Sequence, residues 1–125
     1  MKAREIMIYN YMEGYNNFYI DKMVKDFDKN VVFENISNGK SSLLIHGIAA
    51  FKEQAAQATS YFSVRKQTAK SFKHLPEQTE VEIDYYAVIA TDLPNGMKNG
   101  DEVNFAGKSI FRFSGDRITE LRDIS

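Results

Sequence analysis

The side chains that could do chemistry here are few in kind. His46 and His74 are the only histidines, and they stand far apart in the chain without an H-x-x-x-H or HExxH spacing that would set two imidazoles on one helix face. No zinc site is expected. His46, directly before Gly47, reads as a loop residue or as a general acid at a pocket mouth. The chain has no cysteine, which removes thiol nucleophiles, thiolate metal sites and disulfides and fits a reducing compartment. It also lacks a Gly-rich phosphate loop, a G-x-S-x-G elbow and a dinucleotide fingerprint, so no cofactor is expected. Carboxylates, amides, hydroxyls and phenols remain, and their use depends on the elements that position them.

Those elements begin with helices. Ile8, Tyr11, Met12 and Tyr15 repeat at i, i+3, i+4, i+7, which places them on one helical face. Gly14 and Asn16-Asn17 weaken the end of that helix, and a second short helix carries Ile20, Met23, Val24 and Phe27 at the same spacing. Residues 31–36 form a β-rich run closed by Ser37-Asn38-Gly39. After an ambiguous stretch, His46-Gly47 leads into a third helix with Ile48, Phe51, Ala55 and Phe62 on one face.

The second half reads as strands. Residues 64–75, carrying Arg65, Lys66, Lys70 and Lys73, look like an edge or a solvated face. Residues 80–91 alternate, with Val81, Ile83, Tyr85, Ala87 and Ile89 on one side. Turn signals at Leu93-Pro94-Asn95-Gly96 and Asn99-Gly100 predict a hairpin with a long tip. The returning strand puts Val103, Phe105, Gly107, Ser109, Phe111 and Phe113 on one face. Ser114-Gly115-Asp116 is a short turn, and residues 118–125 form a last antiparallel strand. Three helices ahead of hairpin-connected strands make an α+β pattern with the helices on one face of a sheet.

Composition narrows the function classes. One domain spanning residues 1–125 is expected, because this length holds one compact core. Sixteen Lys plus Arg against seventeen Asp plus Glu leave a charge of −1, which argues against nucleic acid. No apolar run approaches the roughly 20 residues of a membrane span, and the charged start around Lys2, Arg4 and Glu5 is unlike a secretory signal. A cytoplasmic location is expected. Met7, Met12, Met23 and Met97 with the many Phe and Tyr residues suit either a flat, greasy ligand or an ordinary core. Tyr86, Val88 and Ile110 fall on the strand faces opposite the apolar ones, and such two-sided burial predicts a homodimer through the outer sheet face.

The order helix, helix, Val-Val-Phe-Glu-Asn-Ile, Gly47-led helix, then strands ending in Gly-Lys-Ser-Ile-Phe-Arg-Phe (residues 107–113) and Ile-Thr-Glu-Leu-Arg-Asp (residues 118–123) resembles the nuclear transport factor 2-like superfamily, most closely its SnoaL-like branch. The resemblance covers nearly the whole chain and implies a cone-shaped, cystatin-like fold: a strongly curved, mainly antiparallel sheet around the helices, with a pocket inside and often a homodimer. In the steroid isomerase pattern a first-helix tyrosine stabilises an enolate, and Tyr11 occupies that place. The base position of that pattern holds Asn35, an amide that cannot accept a proton near neutral pH. Its acidic hydrogen-bond donor position holds Ser109.

The polyketide cyclase pattern instead places a carboxylate base on the last strand, where Asp123 stands. With Thr119, Leu121, Asp123 and Ser125 toward the cavity, desolvation would raise that carboxyl's pKa into a useful range. The resemblance therefore implies Asp123 and Tyr11 as catalytic residues and Asn35, Ser109, Phe33, Phe111 and Tyr15 as substrate-binding residues. The implied activity is cofactor-free isomerisation, cyclisation or lysis of a small hydrophobic carbonyl compound by proton abstraction. The alternatives are a non-catalytic binder of such a compound and a protein-interaction module. For Asp123 itself, a carboxylate facing water or paired across strands is the competing reading.

Overall fold

A computed structural model describes residues 2–125. The elements run α1 (Lys2–Asn16), α2 (Ile20–Met23), β1 (Phe27–Ser37), β2 (Lys40–His46), α3 (Ile48–Thr59), β3 (Phe62–His74), β4 (Gln78–Ile89), β5 (Glu102–Ser114) and β6 (Arg117–Ile124). The six strands form one sheet in the order β2-β1-β6-β5-β4-β3. All neighbours are antiparallel except β1 and β6. The ambiguous stretch before His46 is thus an edge strand, and the Lys-rich β3 is the edge at the other end, as its charge predicted. Among the described residues no helix is long and apolar enough to cross a membrane.

The helical periodicity of α1 is borne out, with Ile8, Tyr11 and Met12 fully buried against the sheet. Gly14 is the point where α1 meets α2: a Cβ there would lie 2.6 Å from the Met23 amide nitrogen and 2.9 Å from the Tyr19 carbonyl oxygen. It permits a close backbone approach, a larger role than ending a helix. Two side chains assigned to helices lie in strands instead. Phe27 begins β1 and Phe62 begins β3, because α2 is a single turn and α3 stops at Thr59. Both still turn inward, Phe27 reaching the ring of Phe51 at 5.1 Å.

Concave-face residues of β4, β5 and β6 make the core with α1 and α3: Val81, Ile83, Phe111, Ile118 and Leu121 join Ile8, Tyr11, Phe27 and Phe51 in one cluster. Ile118 is 0% exposed although simple alternation puts it on the side opposite Leu121. A register shift in the β5–β6 pairing, where Phe113 faces Ile118 and Arg112 faces Glu120, swings Ile118 inward.

At one end of the cone Arg4 ties α1 to the β3–β4 turn. Its guanidinium donates to the carbonyls of Leu75 (2.6 Å), Pro76 (2.6 Å) and Gln78 (3.1 Å) and lies 5.0 Å from the centre of the Phe113 ring. Beside it His74 bridges Glu5 (2.7 Å) and the buried Thr79 hydroxyl (2.8 Å). His74 therefore has a place in this latch, while His46 lies exposed at the end of β2. Among the described residues no three His, Asp or Glu side chains gather into a metal site.

Candidate functional site

Strand register fixes which side chains can meet. Asn35 of β1 faces Asp123 of β6, Asp123 faces Ser109 of β5, and Ser109 faces Val81 of β4, so these residues form one row across the sheet. Further along β5 and β4, Gly107 faces Ile83, and Phe105 faces Tyr85. Tyr85 in turn faces Gln67 of β3. Because side chains alternate, all of these point to the concave face. The sheet does not fill that space. A cavity of about 470 Å³ remains, its lining including Asn35, Ser109, Asp123, Tyr15, Tyr85, Gln67 and Lys108 and apolar residues of β3, β4 and β5. Leu93, Asn95 and Met97 from the long β4–β5 tip border it, and Phe105, 42% exposed, lies at its opening. Gly107 on its wall allows close packing, since a Cβ there would come 3.0 Å from the Ile124 carbonyl and 3.5 Å from the Phe105 ring.

Asp123 is half-buried on the cavity wall. Its surroundings are dry enough that desolvation pushes its carboxyl pKa up from 3.8 to about 6, against a smaller opposing pull from the Ser109 hydroxyl. That hydroxyl donates to Asp123 Oδ1 at 2.6 Å and fixes the carboxylate's orientation. The alternation of the last strand left its face open. The register of β6 between β1 and β5 turns Asp123 inward.

The other expected residues divide. Asn35 lines the cavity, but its amide already donates to Ser42 at 2.8 Å and to Ser37 at 3.4 Å. Tyr15 lines it, its hydroxyl 2.7 Å from that of Tyr85. Tyr11, Phe33 and Phe111 are not among the lining residues. Tyr11 is 3% exposed in the core, its ring stacked on Phe27 at 5.7 Å and edge-on to Phe111 at 5.8 Å. Its phenol meets the side chain of Gln67 and feels the charge of Asp123, and burial holds its pKa well above the ordinary value. Phe111 is 0% exposed, and Phe33 packs on Phe51 at 5.4 Å.

Three residues, Tyr85 and Gln67 on the cavity wall and Arg65 beside it, were not expected at the site from the sequence. Tyr85 sits on the expected apolar face of β4, but nothing in its spacing marks it as the hydrogen-bond partner of Tyr15. Burial raises the pKa of both phenols, so both are neutral donors near pH 7. Gln67 and Arg65 lie in a strand whose basic residues read as solvated. They are 7% and 3% exposed. Only their shared alternation with Ala69 could have hinted at an inward face.

No protein-family model matches the chain, and no curated protein matches it in sequence. Solved structures do. A candidate polyketide cyclase from Xanthomonas campestris is 16% identical with a TM-score of 0.83 over 99% of this chain and 90% of that one. A candidate SnoaL-like polyketide cyclase from Jannaschia is 11% identical, TM-score 0.81, over 98% and 84%. TerC, crystallised with polyporic acid, is 14% identical, TM-score 0.78, over 98% and 90%. At these identities the likeness establishes architecture, and it agrees with the curved sheet and the helices: the chain has the nuclear transport factor 2-like fold, the cystatin-like α+β cone shared by SnoaL-like and ketosteroid-isomerase-like proteins.

Proposed function

We propose that the chain binds a small hydrophobic carbonyl compound in its cavity and catalyses a cofactor-free isomerisation, cyclisation or lysis in which Asp123 abstracts a proton next to the carbonyl. The observation that carries this reading is a single carboxyl, held by Ser109 on an aromatic-walled cavity, with a pKa of about 6. A base of that strength is ionised at neutral pH yet returns its proton readily, which suits transfer to and from carbon. The C–H electron pair moves toward the carbonyl oxygen as an enolate forms. The joined phenols of Tyr15 and Tyr85 are neutral on the cavity wall, and the O–H not spent between them would donate to it. The enolate then reclaims the proton at another carbon, closes a ring or expels a leaving group.

A non-catalytic binding module is the second reading, favoured by the engagement of Asn35 with Ser42 and Ser37, which leaves that amide no free donor for a substrate. The same proposal includes a second copy on the outer sheet face, supported by Val64 (46% exposed) and its half-buried neighbours Tyr86 and Val88. Deuterium exchange at the acidic carbons of 2-tetralone, followed by proton NMR, tests catalysis. Wild-type protein should accelerate exchange above pH 6, and Asp123→Asn should reduce the rate at least about tenfold. A carbon-detected titration placing the Asp123 carboxyl near 3.8, or exchange equal in both proteins, sinks the reading.

A further inference from the structure

Beside the cavity stands a buried cation. Arg65 is 3% exposed on the concave side of β3. Its Nε donates to the Tyr15 carbonyl at 2.7 Å, while Nη2 is buried with no hydrogen-bond partner. Among the described residues no carboxylate forms an ion pair with it. The guanidinium lies 3.9 Å from the centre of the Tyr15 ring and 4.5 Å from that of Phe18. Phe18 adopts φ +57°, a left-handed conformation uncommon for a bulky side chain, so the backbone is bent where its ring meets the cation. Cation–π contact offsets part of the desolvation cost of this charge and leaves the rest uncompensated.

The groups nearest to Arg65 explain where a balancing charge would enter. Its field reaches the phenols of Tyr11, Tyr15 and Tyr85 and favours their ionised forms, yet burial keeps all three neutral. Asp123 forms no ion pair with it; the carboxylate of Asp123 accepts the Ser109 hydroxyl instead. Tyr15 and Tyr85 line the cavity with their hydroxyls joined, and Tyr85 stacks on Phe105 with centroids 4.9 Å apart, giving a flat apolar wall. A ligand oxygen received by these hydroxyls would lie in front of the buried cation, in surroundings of low dielectric where charge is felt strongly.

We propose that Arg65 makes the cavity selective for flat ligands bearing an anionic oxygen, a carboxylate, phenolate or enolate, which accepts the free O–H of the joined Tyr15–Tyr85 pair with the guanidinium behind it as counter-charge. This rests on the reading of the cavity as a ligand site and names the ligand's chemical class. Arg65 acts here through the phenols, as a positioning and specificity residue.

The test is calorimetric titration of the full chain at pH 7 with 2-naphthoate and with 2-naphthamide, which match in shape and differ in charge. Wild-type protein should prefer the naphthoate by roughly tenfold or more. Arg65→Lys should keep most of that preference, and Arg65→Met should abolish it while circular dichroism stays native. If Arg65→Met does not fold, Tyr85→Phe gives the second readout, a reduced preference with the cation intact. Equal or tighter binding of the naphthamide to wild-type protein overturns the proposal. So does the same loss of preference in the Lys and Met variants, or the binding of neither compound. Charge-blind binding with an Asp123 pKa near 6 removes the role of Arg65 and leaves the base standing. An ordinary Asp123 pKa with a tenfold naphthoate preference does the reverse.

Discussion

Replacing Asp123 by Asn tests the dry carboxylate through stability, without any ligand. In the unfolded chain the carboxyl titrates near 3.8, and in the folded protein near 6. Between those values the native state holds a proton that the unfolded state has released, so wild-type stability falls as pH rises through this window and is flat above it. At about 1.4 kcal/mol for each pH unit, the interval corresponds to about 3 kcal/mol of destabilisation at neutral pH. Asparagine carries no charge, and its side-chain oxygen can still accept the Ser109 hydroxyl that now lies 2.6 Å from Oδ1. Asp123→Asn should therefore gain on wild type as pH rises from about 4 to about 6, by roughly 2–3 kcal/mol, with a constant difference beyond. Urea denaturation from pH 3.5 to 8 at one fixed protein concentration measures this, since association would otherwise shift the midpoints. A pH-independent difference, or one in which wild type gains as pH rises, refutes the argument that Asp123 is desolvated.

Other substitutions probe the scaffold and the wall. Gly14→Ala should destabilise by about 1–3 kcal/mol in thermal or urea melts, because the added methyl collides with the Met23 backbone at 2.6 Å and outweighs the gain in helix propensity. Arg4→Met should cost about 2–3 kcal/mol in the same assay, since the carbonyls of Leu75, Pro76 and Gln78 lose their charged donor. Tyr11→Phe should leave 2-tetralone exchange within about threefold of wild type, and Tyr85→Phe should slow it about tenfold or more, because only the second phenol lines the cavity. Sedimentation at micromolar concentration should give a dimer that Val88→Glu converts to monomer, and a wild-type monomer would remove the proposed outer-face contact.

Much of the architecture was legible because it rests on short-range periodicity. The spacing of Ile8, Tyr11 and Met12 could satisfy a buried face only as a helix, and the alternation from Val103 to Phe113 only as a strand with one inner side. The turns at Asn95-Gly96 and Asn99-Gly100 likewise announced a hairpin with an extended tip. Asp123 was legible as a candidate base, but its face was not: an eight-residue strand with mixed alternation is assigned only by its neighbours, and the pairing with Asn35 and Ser109 decides it. Tyr11 shows the converse. Its helical position suited a catalytic donor, yet packing against Phe27 and Phe111 sets it in the core, and Tyr15, one turn along, reaches the cavity.

The chain alone determined most element types, the absence of thiol chemistry and most of the residues able to face inward, since these follow from side-chain identity and local geometry. Tertiary structure alone decided which inward residues meet. Ser109 reaches Asp123 and Tyr15 reaches Tyr85 through strand register and helix docking. Arg65, in a strand that reads as solvated, is buried beneath two aromatic rings. Charge and burial become chemistry only where distant segments close around the same space, and no local pattern encodes that closure.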